Sequence, residues 1–148
     1  MSDSLVGSMH ISAAGMSAQR SRMDIVAENI ANAESTRTDD GGPYQRRQVI
    51  FETISPQNSF SSVFSSSLQG QNSQTVKVAE VIKDSRPPQE LYDPSHPDAD
   101  STGMVKFPNV NTVEEMVDLN SASRGFESNV TVMQASKRMF LKTLELLR

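Results

Sequence analysis

The chain has no cysteine and no tryptophan. Without thiols it can build no disulfide, zinc–thiolate site, iron–sulfur cluster or cysteine nucleophile, while a thiol-free chain suits oxidising and reducing compartments equally. Aromatic residues make up 5% and hydrophobic residues 36% of its 148 positions, and methionine, at 8, is the one generous apolar type. That is a thin supply for a self-sufficient core. An excess of positive charge is also missing. The 14 Lys and Arg stand against 18 Asp and Glu, a formal net charge of −4, so no strong field draws nucleic acid or an anionic membrane. No apolar run approaches the roughly 20 residues that span a bilayer. The opening MSDSLVGSMHIS carries Asp3 and no basic stretch ahead of an apolar one. The expectation is a chain without a cleavable signal, which stays in the cytosol or leaves by a route that removes no leader.

Proline is confined to one zone. All seven prolines, with Gly41, Gly42, Gly70 and Gly103, fall within residues 37–108, and none lies in 1–36 or 109–148. This layout predicts a mainly α protein: an N-terminal helix in 1–36, an extended and β-containing middle in 37–108, and a C-terminal helix in 109–148. Tyr44–Thr53 and Gln74–Lys83 are rich in β-branched and aromatic residues and read as strands. Residues 55–74 are mostly Ser, Gln, Asn and Gly with Phe60, Phe64 and Leu68, the composition of a flexible loop or a short, weakly held helix. Residues 85–109, punctuated by Pro87, Pro88, Pro94, Pro97 and Pro108, are expected to be extended and turn-rich, with little regular structure.

The last zone carries the strongest pattern. Met116, Leu119, Ser123, Phe126, Val130, Met133, Lys137, Phe140, Leu144 and Leu147 follow alternating steps of three and four, and eight of these ten are apolar. This is the a/d stripe of a coiled coil. Thr112 and Glu115 have the spacing of a capping box at its start. The first zone repeats the theme. Met9, Met16, Met23 and Ile30 recur every seven residues, with companion positions Leu5, Ser12, Gln19, Val26 and Ala33. A helix of about 36 residues is roughly 54 Å long, longer than a compact middle zone could cover. The two ends are therefore expected to pair as a coiled coil and to leave apolar surface for neighbouring copies or other proteins.

Candidate chemistry is sparse. Asp93, His96, Asp98 and Asp100 put one imidazole and three carboxylates within eight residues, but zinc sites need more His or Cys than this, and prolines with Asp already account for a rigid turn. The segment reads as a structural loop, with no metal and no cofactor. His10 is isolated, no glycine-rich phosphate loop or catalytic motif is present, and the chain is not expected to be an enzyme or to hold a small-molecule substrate. Arg46 and Arg47 read as a solvated strand face, given the acidic balance. Asn129-Val130-Thr131 fits a glycosylation sequon but falls inside the expected helix, a chance match. Asn29 and Asn32 share one face at the end of the first helix, where Asn can bond main-chain groups.

That segment also carries a resemblance. Asn29-Ile30-Ala31-Asn32 followed by Thr36, with Gly15-Met16-Ser17-Ala18-Gln19 upstream, resembles the N-terminal signature of the flagellar rod and hook axial family. Tyr92-Asp93-Pro94-Ser95-His96-Pro97-Asp98-Ala99-Asp100, the Pro108–Asn111 run, and Glu114–Asp118 with Ser121–Arg124 are similar to its C-type proximal rod members rather than the B, F or G types. Residues 55–74 match least. The resemblance implies a structural subunit of the basal-body rod. Its terminal helices would pair into an inner coiled coil stacked helically around an export channel. It would leave through the flagellar type III export apparatus, without a cleaved leader, to a periplasmic rod. The partners implied are other copies, rod proteins of B, F and G type, and the adaptor joining rod to membrane ring. The residues expected at assembly contacts are Met9, Met16, Met23, Val26, Asn29, Ile30, Asn32, Met116, Leu119, Phe126, Val130, Met133, Phe140, Leu144 and Leu147. A soluble coiled-coil adaptor, another axial-family member and a small metal-dependent protein are the alternatives.

Overall fold

A proline-free stretch can close an unbroken ladder of backbone hydrogen bonds, and both ends of the chain do so. In the computed structural model, which describes residues 2–39, 41–54 and 74–146, helix α1 spans Ser2–Ala31 and helix α2 spans Thr112–Leu146. Between them lie β1 (Arg47–Ile54), β2 (Thr75–Lys83), β3 (Gln89–Tyr92) and β4 (Met104–Phe107). β1 pairs with β2 and β3 with β4, giving two two-stranded sheets. The protein is mainly helical with a small β insertion. The Ser-rich segment read as a loop lies, apart from Gln74, outside the described residues.

Local chemistry sets the helix ends. At the end of α1 the Asn32 N–H and its side-chain Nδ2 both donate to the Glu28 carbonyl, at 3.1 and 3.0 Å, and the next N–H, of Ala33, turns to the Ile30 carbonyl at 3.2 Å, a three-residue step that tightens the last turn. α2 is capped one residue earlier than its sequence suggests. The N–H of Val113 donates to Asn111 Oδ1 at 3.1 Å and that of Glu115 to the Asn111 carbonyl at 3.0 Å, so Asn111 is the N-cap. The Thr112–Glu115 capping box does not form, because the Glu115 carboxylate is engaged elsewhere.

Residues 85–109, expected to be irregular, contain the β3–β4 hairpin. Its antiparallel register pairs Gln89 with Phe107, Glu90 with Lys106, Leu91 with Val105 and Tyr92 with Met104. Four-residue strands are too short for period-2 alternation to stand out, and the connecting turns hold them. Asp93 accepts from the Ser95 N–H at 3.1 Å and hydroxyl at 2.6 Å. Asp100 accepts from the Thr102 N–H at 2.8 Å and the Met104 N–H at 3.1 Å. Gly103 closes the turn at φ 79°, the left-handed region that favours glycine.

The chain divides into two compact units. One draws on Met1–Ser21, Phe51–Ala79 and Ala122–Arg148, the other on Arg22–Ile50 and Glu80–Ser121. In the first, Ser8 Oγ lies 3.1 Å from Ser136 Oγ. A Cβ on Gly15 would meet the Asn129 side chain at 3.0 Å, and one on Gly125 would meet Gln19 at 3.2 Å. Partner numbers fall on α2 as they rise on α1, so the helices run antiparallel. Ser8, Ser12, Gly15 and Gln19 follow heptad steps, and Ser12, Ala18, Ala122 and Ser136 are buried. The line of closest approach is thus small and polar, and half of it lies one position from the Met9–Met16 stripe.

Candidate functional site

The second unit is built around a polar knot. Asn29, in the last turns of α1, is 1% exposed, and Glu115, in the first turn of α2, is 0% exposed. Buried groups of this kind must be hydrogen-bonded, and these are. Asn29 Nδ2 donates to the Arg47 carbonyl at 2.8 Å and to Glu115 Oε2 at 3.0 Å. Asn29 Oδ1 accepts from the Tyr44 hydroxyl and from the Arg47 N–H, each at 2.9 Å. The other Glu115 oxygen accepts from Arg46 Nε at 2.5 Å. Four bonds to one amide fix both its rotamer and the chain that crosses it.

A second ring of contacts holds Arg46. Its N–H donates to Asn109 Oδ1 at 3.2 Å, its carbonyl accepts from the Asp84 N–H at 2.7 Å, and its guanidinium lies 3.8 Å from Asp84 Oδ2. Hydrogen bonds from Arg86 hold the Asp84 carboxyl below the usual carboxylate range, against the opposing effect of burial. Burial, then the nearby Glu28 carboxylate, pushes the Tyr44 hydroxyl above its ordinary value, with Arg47 opposing. Arg47 pairs with Glu28 at 2.9 Å and lies over the Tyr44 ring.

Arg46 was read from sequence as part of a solvated face, and this is corrected: its side chain is buried against Glu115 and Asp84. The acidic balance that suggested exposure supplies its partners. Only Arg47 keeps the half-exposed position expected of both. Arg46, Tyr44, Glu115 and Asp84 were not singled out as a constellation, because the knot joins segments up to 86 residues apart. The unusual Asn29 near a helix end was the one visible signal.

The Asn32 and Thr36 side chains act locally and across the loop. Asn32 Oδ1 accepts from the Ser35 hydroxyl at 3.1 Å, and the Thr36 hydroxyl donates to Asp98 Oδ2 at 2.7 Å. The N-terminal signature is thereby joined to the Asp/His segment. His96 Nδ1 accepts from the Asp98 N–H at 3.1 Å, and its ring meets Phe107 edge-on at 6.0 Å. Among the described residues, no group of three or more His, Asp or Glu is arranged to hold a metal ion.

The residues expected at assembly contacts separate into three groups. Val26 and Asn29 are buried. Met9, Met16, Met23, Ile30, Asn32, Leu119, Phe126, Val130, Met133 and Phe140 are half-buried. Met116 and Leu144 are open, at 57% and 51% exposure. Leu147 lies outside the described residues. Ser8, Gly125, Asn129 and Ser136, which meet residues of the other helix, lay beyond an apolar-stripe reading because they are small or polar.

Comparison with known proteins agrees with this arrangement. Residues 9–37 match a family of flagella basal body rod proteins. Residues 101–146 match the C-terminal family of flagellar basal body rod FlgEFG proteins. The flagellar basal-body rod protein FlgC of Borreliella burgdorferi is 43% identical over 149 residues, covering 97% of this chain and 98% of that one. FlgC of Bacillus subtilis is 41% identical over 145 residues, covering 94% and 95%. FlgC of Salmonella typhimurium is 39% identical over 142 residues, covering 96% and 97%. With identity of this order over nearly the whole of each sequence, and with the signature residues occupied in the knot and the Asp/His turn, the chain belongs to the FlgC family of flagellar basal-body rod proteins.

Proposed function

We infer that the chain is a structural subunit of the proximal rod of the flagellar basal body, where it associates with other rod components and forms part of the shaft that transmits torque around an export channel. One observation in the fold carries this. Large apolar side chains stand open on α2: Val113, Met116 and Val117 in one unit, and Met139, Leu141, Leu144 and Leu146 in the other, with Leu146 at 87% exposure. A monomeric soluble protein rarely leaves so many such residues open unless another surface covers them. The neighbours proposed are further copies, rod proteins of B, F and G type, and the adaptor that joins rod to membrane ring. The route proposed is export through the flagellar type III apparatus without a cleaved leader, ending in the periplasm. No helix of the described residues is long and apolar enough to cross a membrane. The role proposed is mechanical and not enzymatic.

The test is a pair of neighbouring substitutions. Leu144→Asp places a charge where a packed bundle would have to desolvate it, and swimming should be lost while the chain is still made. Glu145→Gln, one position away, should swim as the parent does. Normal swimming of the Leu144→Asp strain would overturn the assembly role of this face.

A further inference from the structure

Building on the assembly role of the open α2 face, we propose that the acidic β3–β4 hairpin of one copy docks on the basic, apolar end of α2 in a second copy. Each patch lies wholly inside one compact unit, and the contact joins two chains.

Charge is unevenly divided along the chain. The unit drawn from Met1–Ser21, Phe51–Ala79 and Ala122–Arg148 holds seven Lys and Arg against four Asp and Glu, a net charge of +3. The unit drawn from Arg22–Ile50 and Glu80–Ser121 holds seven against fourteen, a net charge of −7. A surface that serves only solubility intersperses the two signs. In the basic unit, Lys137 and Arg138 lie four and three positions before Leu141, with Leu144 three after it, so these side chains share a face of α2. All four, and Lys142 beside them, are exposed. The helix dipole does not account for the three cations, since its effect fades within the last turn and the last turn of α2 holds no basic residue. Among the described residues none of the three is in an ion pair. The unit has little negative charge of its own to cover them. Residues 55–73 contain no acid, Glu52 is held by Lys77 at 3.3 Å, and Glu145 offsets only one of the three.

In the acidic unit the β3–β4 hairpin offers the complement. Residues 89–107 hold Glu90, Asp93, Asp98 and Asp100 against Lys106 alone. The donors that bind Asp93 and Asp100 are neutral hydroxyl and N–H groups, which hold both carboxyls below their ordinary value. The bonds therefore keep the two negative charges and do not cancel them. β4 turns inward at the fully buried Val105, while Leu91 and Tyr92 on β3 stand open, Tyr92 at 67% exposure. Tyrosine is among the residues enriched where proteins meet, because its large apolar body ends in a polar tip. Set against itself, either patch would bring like charges together at a cost. Set against the other, each meets opposite charge and covers its apolar side chains. A chain that carries both halves of such a contact makes a heterologous interface, the kind that builds open helical assemblies.

The absence of native cysteine allows a test in which only contacts between chains register. Full-length chains carrying Tyr92→Cys and chains carrying Leu144→Cys, one of the two with a size tag, are mixed and oxidised. The mixed disulfide should exceed either homodimer by roughly tenfold. The excess should disappear at about 1 M salt, where the Debye length is about 3 Å. Lys137→Glu/Arg138→Glu/Lys142→Glu on the Leu144→Cys chain should abolish the excess. Glu90→Lys/Asp98→Lys on the Tyr92→Cys chain should then restore it. All five reversed positions are exposed, and circular dichroism checks that helix content is kept. The salt response of the unreversed pair is read whether or not a reversed chain folds. Equal yields of mixed and homodimeric products would overturn the proposal. So would an excess that survives high salt, or folded reversed chains that show no rescue. Loss of swimming in Leu144→Asp with no excess of the mixed disulfide would sink the contact between copies and leave the assembly role of α2 standing.

Discussion

The two helices are fastened by different means in the two units. Where Ser8, Gly15 and Gln19 meet Ser136, Asn129 and Gly125, contact is close because the side chains are small, and no charge is involved. Where Asn29 meets Glu115, contact is made through three segments of chain and a buried ion pair. Small residues bring helix backbones together but bury little apolar area, so they yield closeness without much stabilisation. A satisfied buried network contributes modest net stability but is costly to break. The larger apolar side chains flank the first region and stay half-buried or open, which suits surfaces covered on assembly.

The sharpest way to break this contrast is Glu115→Ala. It leaves Arg46, 9% exposed, with Asp84 at 3.8 Å as the one ion-pair partner among the described residues. Loss of one partner of a buried pair costs about 3–5 kcal/mol, a large fraction of the stability of a thin-cored domain. Urea unfolding should show the midpoint falling accordingly. A change below about 1 kcal/mol would mean that water reaches the site and that the knot is not a dry network.

A smaller effect is expected where the seam is small. Gly15→Leu must push Asn129 away from a position its Cβ already crowds, and overpacking of this kind costs about 1–3 kcal/mol. Gly15→Ala should be nearly neutral, since about 1 kcal/mol of helix propensity is gained against a slight crowding of the same side chain. The double variant Gly15→Leu/Asn129→Ala should recover much of the loss in thermal melts. No recovery would place the strain elsewhere in the pair.

Much of the fold was legible because proline placement and heptad spacing act locally: the two helices, β1 and β2 can be found from residues 1–54 and 74–146 alone. What escaped was set by partners distant in sequence. Glu115 has the spacing of a capping residue, but a buried arginine offers it a stronger bond than a helix amide does. Arg46 looks solvent-facing until Asp84 and Glu115 are brought beside it. Ser8, which meets Ser136, lies one position from the Met9 stripe, because hydrophobic periodicity marks where apolar mass lies. The line of closest backbone approach is marked by small residues instead. The β3–β4 hairpin was missed since its signal is in Asp93, Asp100 and Gly103, turn residues that also suit an irregular loop.

The smallest effect concerns that hairpin and tests whether its carboxylates serve the turn. Hydrogen bonds from the Thr102 hydroxyl and N–H, then from the Met104 N–H, hold the Asp100 carboxyl below its ordinary value of 3.8. The Ser95 hydroxyl and N–H lower Asp93 in the same way. A carboxylate with a depressed folded-state value contributes stability that is present above the unfolded value and is lost as pH falls through the folded one. The turn should therefore keep its bonds down to pH 3.8 and release them only in more acidic solution. Asp100 is exposed and Asp93 half-buried, and both bond only within the turn, so the loss should stay local and leave the helices formed. Amide resonances of Ser95, Thr102 and Met104, followed by NMR as pH is lowered, should shift with midpoints below 3.8. Asp100→Asn should abolish the shift at Thr102 and Met104 and leave that at Ser95. A midpoint at or above 3.8 for Thr102 would show that the Asp100 side chain is free in solution and that the hairpin is held by its strand pairing alone.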